Sequence, residues 1–400
     1  MSADFLAAGA RPSPGALRRR QIQQTPNPAL TSHAKASLLP HLFMADPTVA
    51  DIRSTFPKTS RVRSTLLGGG LFLLVLAFYL GFCWAGLATG NWALKFLFGV
   101  LLGLAYSILF VIGHDACHDS LTPFGWLNSI LARIAFLPSL HPYATWELGH
   151  NRLHHGWTNL KGMDYVYPPF SKAEFDVLSP VRRLLERFYR TVWGCGFFYM
   201  IEVWWKHLIL PRPEEWPKLS RRTYALDLIL VTLFLVFEIS LVLYLDRAAP
   251  AWHRALDLVL LIIIPFLFWN WISAYVTVQH HTHPSVAWFA TKEEWSYFNG
   301  QVRGTVHVKL PRFIELIFHN ILEHTAHHAD PKIPLYNLPD CQTSLEKKFT
   351  DDVTLEDGSV FQFGKNLKRC QLYDYQQHRW LKFDGTPTTD SIFPPRPATA

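Results

Sequence analysis

Charge is scarce in this 400-residue sequence. Only 17% of residues are Asp, Glu, Lys or Arg, against about a quarter in an ordinary soluble domain. Hydrophobic residues make up 49% and aromatic residues 14%. That balance argues against two or three soluble domains and for one polytopic membrane domain. The net charge of +7 comes from basic residues flanking apolar runs, not from a continuous stripe. It reads as topology and attraction to anionic lipid headgroups, and nucleic-acid binding is not expected. Cysteine is scarce too. Cys83, Cys117, Cys195, Cys341 and Cys370 are odd in number, scattered, and include no CxxC pair. This excludes a disulfide framework and a zinc-finger or iron–sulfur site built on cysteine. No apolar core follows the basic Arg18-Arg19-Arg20, so a signal peptide is not expected.

Long apolar runs take the place of charge. The stretches 65–88, 92–113, 225–245 and 255–278 are each long enough to span a bilayer. Short connections at 89–91 and 246–254 group them into two helical hairpins. The stretch 126–140 is apolar but short, and carries Arg133 and Pro138. It reads as a re-entrant or interfacial helix. Between 141 and 224, Arg182, Arg183, Arg187 and Arg190 alternate with Leu184, Leu185 and Phe188. That pattern suits helices lying on a membrane surface. Alternating runs at Val360-Phe-Gln-Phe and Trp380-Leu-Lys-Phe, with Asp-Gly turns, predict a small β element within 351–385. Residues 386–400 are rich in Pro and Thr and are expected to be loose.

The loop 114–224 carries 13 Lys and Arg; the connections 89–91 and 246–254 carry none and two. The positive-inside rule places the long loop and both termini in the cytoplasm. The expected fold is therefore an all-α integral membrane protein. Four transmembrane helices form two hairpins, with a cytoplasmic histidine-rich helical cap and a small C-terminal β element.

Histidine is what the chain concentrates. Eleven of its 19 histidines fall in four short windows. These hold His114 and His118; His150, His154 and His155; His280, His281 and His283; and His324, His327 and His328. With four spans, all four windows face the cytoplasmic side, each at or just beyond the membrane face, which argues for one shared metal centre. Spacings of three to five residues aim rings from one helix at a common point. One zinc takes three or four ligands, so this many imidazoles suit two ions. Imidazole accepts zinc, copper, iron or nickel, so spacing does not name the metal. Metal-bound histidines usually donate their other nitrogen to a carboxylate or carbonyl. Asp115, Glu147, Asn320 and Glu323, with Asp119, Asn151 and Asp330, are the nearby candidates.

The motifs resemble a family. They are His114-Asp-Ala-Cys-His118, the run ending His154-His155-Gly-Trp-Thr-Asn159, Gln279-His-His-Thr-His-Pro284, and Phe318-His-Asn-Ile-Leu-Glu-His-Thr-Ala-His-His328. Asp330-Pro-Lys-Ile-Pro-Leu-Tyr-Asn-Leu338 follows the last. Three boxes in this order around paired hairpins resemble the membrane fatty acyl desaturase and hydroxylase superfamily. The nearer likeness is to acyl-lipid delta-12 (omega-6) desaturases, over residues 55–345. The resemblance implies two iron ions held by His114, His118, His150, His154, His155, His324, His327 and His328. It implies a ninth ligand from His281 or His283. It implies dioxygen-dependent removal of two hydrogens from adjacent carbons of a long acyl chain in a membrane lipid. The two electrons come from a ferredoxin or cytochrome b5-like donor. No His-Pro-Gly-Gly haem signature is present, so that donor is a separate protein. The chain then divides into a disordered tail over 1–50, a membrane fatty acid desaturase domain over 51–350 and a cytoplasmic extension over 351–400.

Two other readings compete. A hydroxylase or acetylenase of acyl chains, alkanes or carotenoids shares the boxes and differs in tunnel shape. A metal transporter needs ligands deep within several spans, whereas these histidines sit at span ends. Trp269 and Trp271 are candidates to line an acyl tunnel. Glu238, deep in the third span, is expected to face the protein interior and to pair with a group such as Asn270.

Overall fold

Among the described residues, four helices are long and apolar enough to cross a membrane, and they follow the four apolar runs. The computed structural model describes residues 46–211 and 219–393. The expected tail lies outside the described residues up to position 45. Residues 46–48 lead into α1 (Val49–Arg53), where Thr48 and Asp51 close a reciprocal capping box. α2 (Thr65–Ala88) is followed by α3 (Trp92–Cys117). The Asn91 side chain caps α3 by accepting from the Ala93 and Leu94 amides. α3 runs on past Gly113, so His114 sits on its last turn, and Asp119 ends it in the left-handed region (φ 55°).

α4 (Gly125–Phe136) is 12 residues, too short to span. α5 (Tyr143–Trp146) runs into a π-helical stretch, Glu147–His154. α6 (Lys172–Val177) and α7 (Pro180–Tyr189) follow, then α8 (Gly194–Phe198), which continues as π-helix over Tyr199–Ile209. On α7, Val181, Leu184 and Phe188 face outward while Glu186 and Tyr189 are buried. An outward apolar stripe beside arginines suits a membrane surface.

α9 (Arg221–Leu245) is the third long helix. α10 (Ala251–Leu258) and α11 (Ile264–His281), joined through the π-turn Val259–Ile263, make the fourth. Glu238 on α9 does not pair with Asn270. Tyr79 of α2 donates to it at 3.1 Å, and the Asn270 amide donates instead to the Phe266 carbonyl one turn back. α9 is thus pinned by a polar contact where its apolar surface alone would leave it facing lipid. α3 approaches the π-turn at Gly99 and the start of α11 at Gly103. A Cβ at either would collide with the carbonyl oxygen of Leu260 or Pro265.

The remainder is α12 (Tyr297–Gln301), β1 (Val306–Lys309), α13 (Arg312–Ile317), α14 (His324–Ala329), α15 (Leu338–Lys348), β2 (Thr354–Asp357), α16 (Val360–Arg369), β3 (Leu372–Asp374) and β4 (Arg379–Leu381). β1 and β2 pair in parallel, and β3 and β4 antiparallel. The run Val360-Phe-Gln-Phe is not a strand but the start of α16. Ser359 caps it, and Phe363, Asn366 and Leu367 turn inward at helical spacing. The cap residue and the 3.6-residue period outweigh a short alternation.

Candidate metal centre

The histidine windows sit on or just after α3, the π-stretch after α5, the end of α11, and α14. Their side chains form two groups. His114, His118, His150, His155 and His327 make one; His154, His281, His324 and His328 make the other. In each group one ring nitrogen per residue lies within 4.8 Å of all the others. In the first, His114 Nε2 lies 2.9 Å from His150 Nε2, His150 Nε2 lies 3.0 Å from His155 Nε2, and His155 Nε2 lies 3.2 Å from His327 Nε2. In the second, His281 and His324 meet Nε2 to Nε2 at 3.0 Å.

Box two is divided between the groups because it is π-helical. The His155 amide donates to the His150 carbonyl at 2.9 Å, an i→i+5 closure. That brings residues five apart onto one side and sends His154 to the other. Box three is divided by ordinary α-helical geometry. His324 and His328 stack four apart on one face, and His327 is turned roughly 100° from its neighbour.

A neutral imidazole has one donor and one acceptor, so converging Nε2 atoms cannot all satisfy each other. His118 Nε2 and His328 Nε2 are buried without a hydrogen-bond partner. Burial holds the pKa values of His118, His150, His155, His324, His327 and His328 well below the ordinary imidazole range, and neighbouring histidines push the same way. The rings are therefore neutral and their lone pairs available. Groups of five and four nitrogen donors fit two metal ions, and neither group contains a carboxylate. The family model described as "Fatty acid desaturase" matches residues 90–356, more than half of the chain and all nine of these histidines.

The chain belongs to the fatty acid desaturase family. This desaturase is similar to the chloroplastic omega-6 fatty acid desaturase of Spinacia oleracea, 28% identical over 331 residues, 82% of this chain and 70% of the relative. It is similar to the sn-1 oleoyl-lipid 12-desaturase of Picosynechococcus sp., 28% identical over 344 residues, 83% of this chain and 92% of the relative. The Synechocystis sp. sn-1 oleoyl-lipid 12-desaturase is also 28% identical, over 343 residues, 85% and 93% of the two chains.

In this desaturase the two candidates for the ninth position separate. His281 joins the second group, whereas His283 stands outside both, its Nε2 at 2.9 Å from Glu356 Oε2 on β2. His280 is also outside; its ring stacks on His324 at 3.9 Å. The carboxylates and amides near the boxes are engaged elsewhere. Asp115 accepts from the Leu335 amide, Glu147 faces Arg152, Asn320 bonds Arg312 and the Leu335 carbonyl, and Glu323 meets His307. Two residues that the sequence did not single out hold the rings instead. His154 Nδ1 donates to Asp164 at 3.0 Å, and His328 Nδ1 donates to the Gln301 side-chain oxygen at 2.8 Å. Asp164 is fixed in turn by the amides of Asn159 and Val166. Tightly turned chain after the second box was the only available signal, with Asp164 ten positions beyond His154.

An apolar cavity meets the first group. His114 and His150 form part of its wall, with Val111, Tyr199, Trp269 and Ile272 among the rest. Trp271 lies elsewhere, in a lateral groove lined also by Phe96, Phe197 and Phe268.

Proposed function

We propose that this desaturase is a delta-12 (omega-6) type acyl-lipid desaturase that introduces a double bond into a long acyl chain of a membrane lipid. The observation that carries this reading is the shared wall: His114 and His150 belong both to the five-nitrogen group and to the apolar cavity. A chain bound there lies against the metal group and away from water. The names of the relatives supply the acyl-lipid substrate and the twelfth-carbon position.

In this reading His114, His118, His150, His155 and His327 would hold one iron, and His154, His281, His324 and His328 would hold the other. Bound there, the two irons would supply dioxygen activation and hydrogen removal from unactivated C–H bonds, chemistry no side chain performs. The protein's residues set the stage for it. Asp164 and Gln301 keep the proton of His154 and His328 on Nδ1, which leaves Nε2 to the metal. Val111, Trp269 and Ile272 exclude water and direct the chain. One dioxygen, two protons, two electrons and two substrate hydrogens balance to two waters and one new double bond. The electrons come from a separate ferredoxin or cytochrome b5-like protein. The helices form two hairpins with both termini, the histidine cap and the basic loop on the cytoplasmic side, where an acidic donor is steered to the surface.

Total fatty acid analysis by mass spectrometry tests the assignment. A host lacking polyunsaturated lipids, expressing this chain with an electron donor, should accumulate a new diene. An unchanged profile refutes the reading, and a triple bond or hydroxyl transfers it to the acetylenase or hydroxylase class. A milder variant tests the ring-holding role. Asp164→Asn should lower iron affinity about 10- to 100-fold, read as iron per chain purified from iron-limited medium.

A further inference from the structure

A third group of ligating side chains stands at the other end of the bundle. Asp246 follows the last residue of α9, and His253 and Asp257 lie one turn apart on α10. One ligand atom from each lies within 4.8 Å of the other two. Lys95, in the first turn of α3, donates to Asp257 Oδ2 at 2.5 Å. Counting the helical rise along α3, Lys95 is roughly 28 Å from His114. The same count puts Asp257 roughly 36 Å from His281. A bilayer's hydrocarbon thickness therefore separates this cluster from the histidine groups.

Asp246 caps the C-terminus of α9, where the free carbonyls already carry negative partial charge. The Asp246 and Asp257 carboxyl groups meet beside a single ammonium, that of Lys95. Asp257 is fully buried and its Oδ1 has no hydrogen-bond partner, while His253 Nδ1 lies 3.4 Å from Asp257 Oδ2. A buried carboxylate oxygen left bare is costly unless a cation meets it. Trp92 packs on Trp252 at 5.4 Å and on the His253 ring at 5.9 Å, so the imidazole is held in place from outside. An imidazole nitrogen among the donors argues against calcium and magnesium, which take oxygen ligands. One imidazole and two carboxylates match the three-ligand set that zinc takes with one position open.

We propose that Asp246, His253 and Asp257 form a binding site for one divalent transition-metal ion, zinc by its donor set, separate from the two iron groups. The ion takes Asp257 Oδ1, the oxygen that Lys95 leaves free. It ties the connection between α9 and α10 to the first turn of α3. Lys95 also limits the affinity, because its ammonium repels the ion across the shared carboxylate.

The test uses the iron-loaded full-length protein in detergent, dialysed against zinc chloride, with zinc and iron counted per chain. The expected result is one zinc taken up with the iron content unchanged, and a zinc X-ray absorption spectrum showing mixed nitrogen and oxygen donors. His253→Ala should lose that zinc while desaturation continues. Lys95→Met should bind it about tenfold more tightly, an outcome that a mere packing contact does not produce. Zinc that enters only as iron leaves overturns the proposal. So does zinc uptake that His253→Ala and Asp246→Asn both leave unchanged.

Discussion

Replacing His155 with alanine is expected to abolish desaturation and to leave at most one iron per chain. No other ring is placed quite as His155 is. Its Nε2 lies 3.0 Å from His150 and 3.2 Å from His327. Its ring stacks on His328 of the second group at 4.1 Å. Removing it deletes a nitrogen donor and opens a void between the two groups, so His328 loses the surface that orients it. The loss of product should exceed about 10³-fold, since an enzyme stripped of the group that performs the chemistry keeps only its binding contributions. Iron analysis of the purified variant and product analysis in cells check the two halves separately. Two irons retained with full activity would remove His155 from the centre.

The second large effect is expected from Ser273→Phe. Ser273 lines the cavity that reaches His114 and His150. A phenyl ring there fills space that an acyl chain has to occupy, and a packed interior yields little. Product should fall at least about 100-fold while iron per chain stays at the parental level. That split separates a blocked substrate path from a damaged metal site. It also decides between the two apolar spaces. The groove beside Phe96, Phe197 and Trp271 touches none of the ligating histidines. If the chain entered there, Ser273→Phe would leave activity intact.

The features legible in the sequence were those written in local pattern. Apolar runs marked the four long helices, and clustered histidines marked the boxes. What escaped depended on residues meeting from afar or on a helix departing from its usual period. The π-helical turn at His150–His155 decides which ring serves which group, and nothing in an i, i+4, i+5 spacing announces it. The choice between His281 and His283 rests on Glu356, 73 positions downstream, which takes His283 for itself. Asp164 and Gln301 have no ligand-like spacing; they reach His154 and His328 only because the chain folds back. Glu238 found Tyr79 rather than Asn270 because Asn270 spends its amide on its own helix.

The missing side chains at Gly99 and Gly103 reach further than their own neighbourhood. They let α3 touch the π-turn before α11 and the start of α11 backbone to backbone, and α3 and α11 carry His114 and His281, members of different groups. Gly103 lies roughly 16 Å below His114 along the helix. The gap between the two histidine groups is thus gauged several helical turns away from the rings, by how thin the polypeptide is where these helices cross.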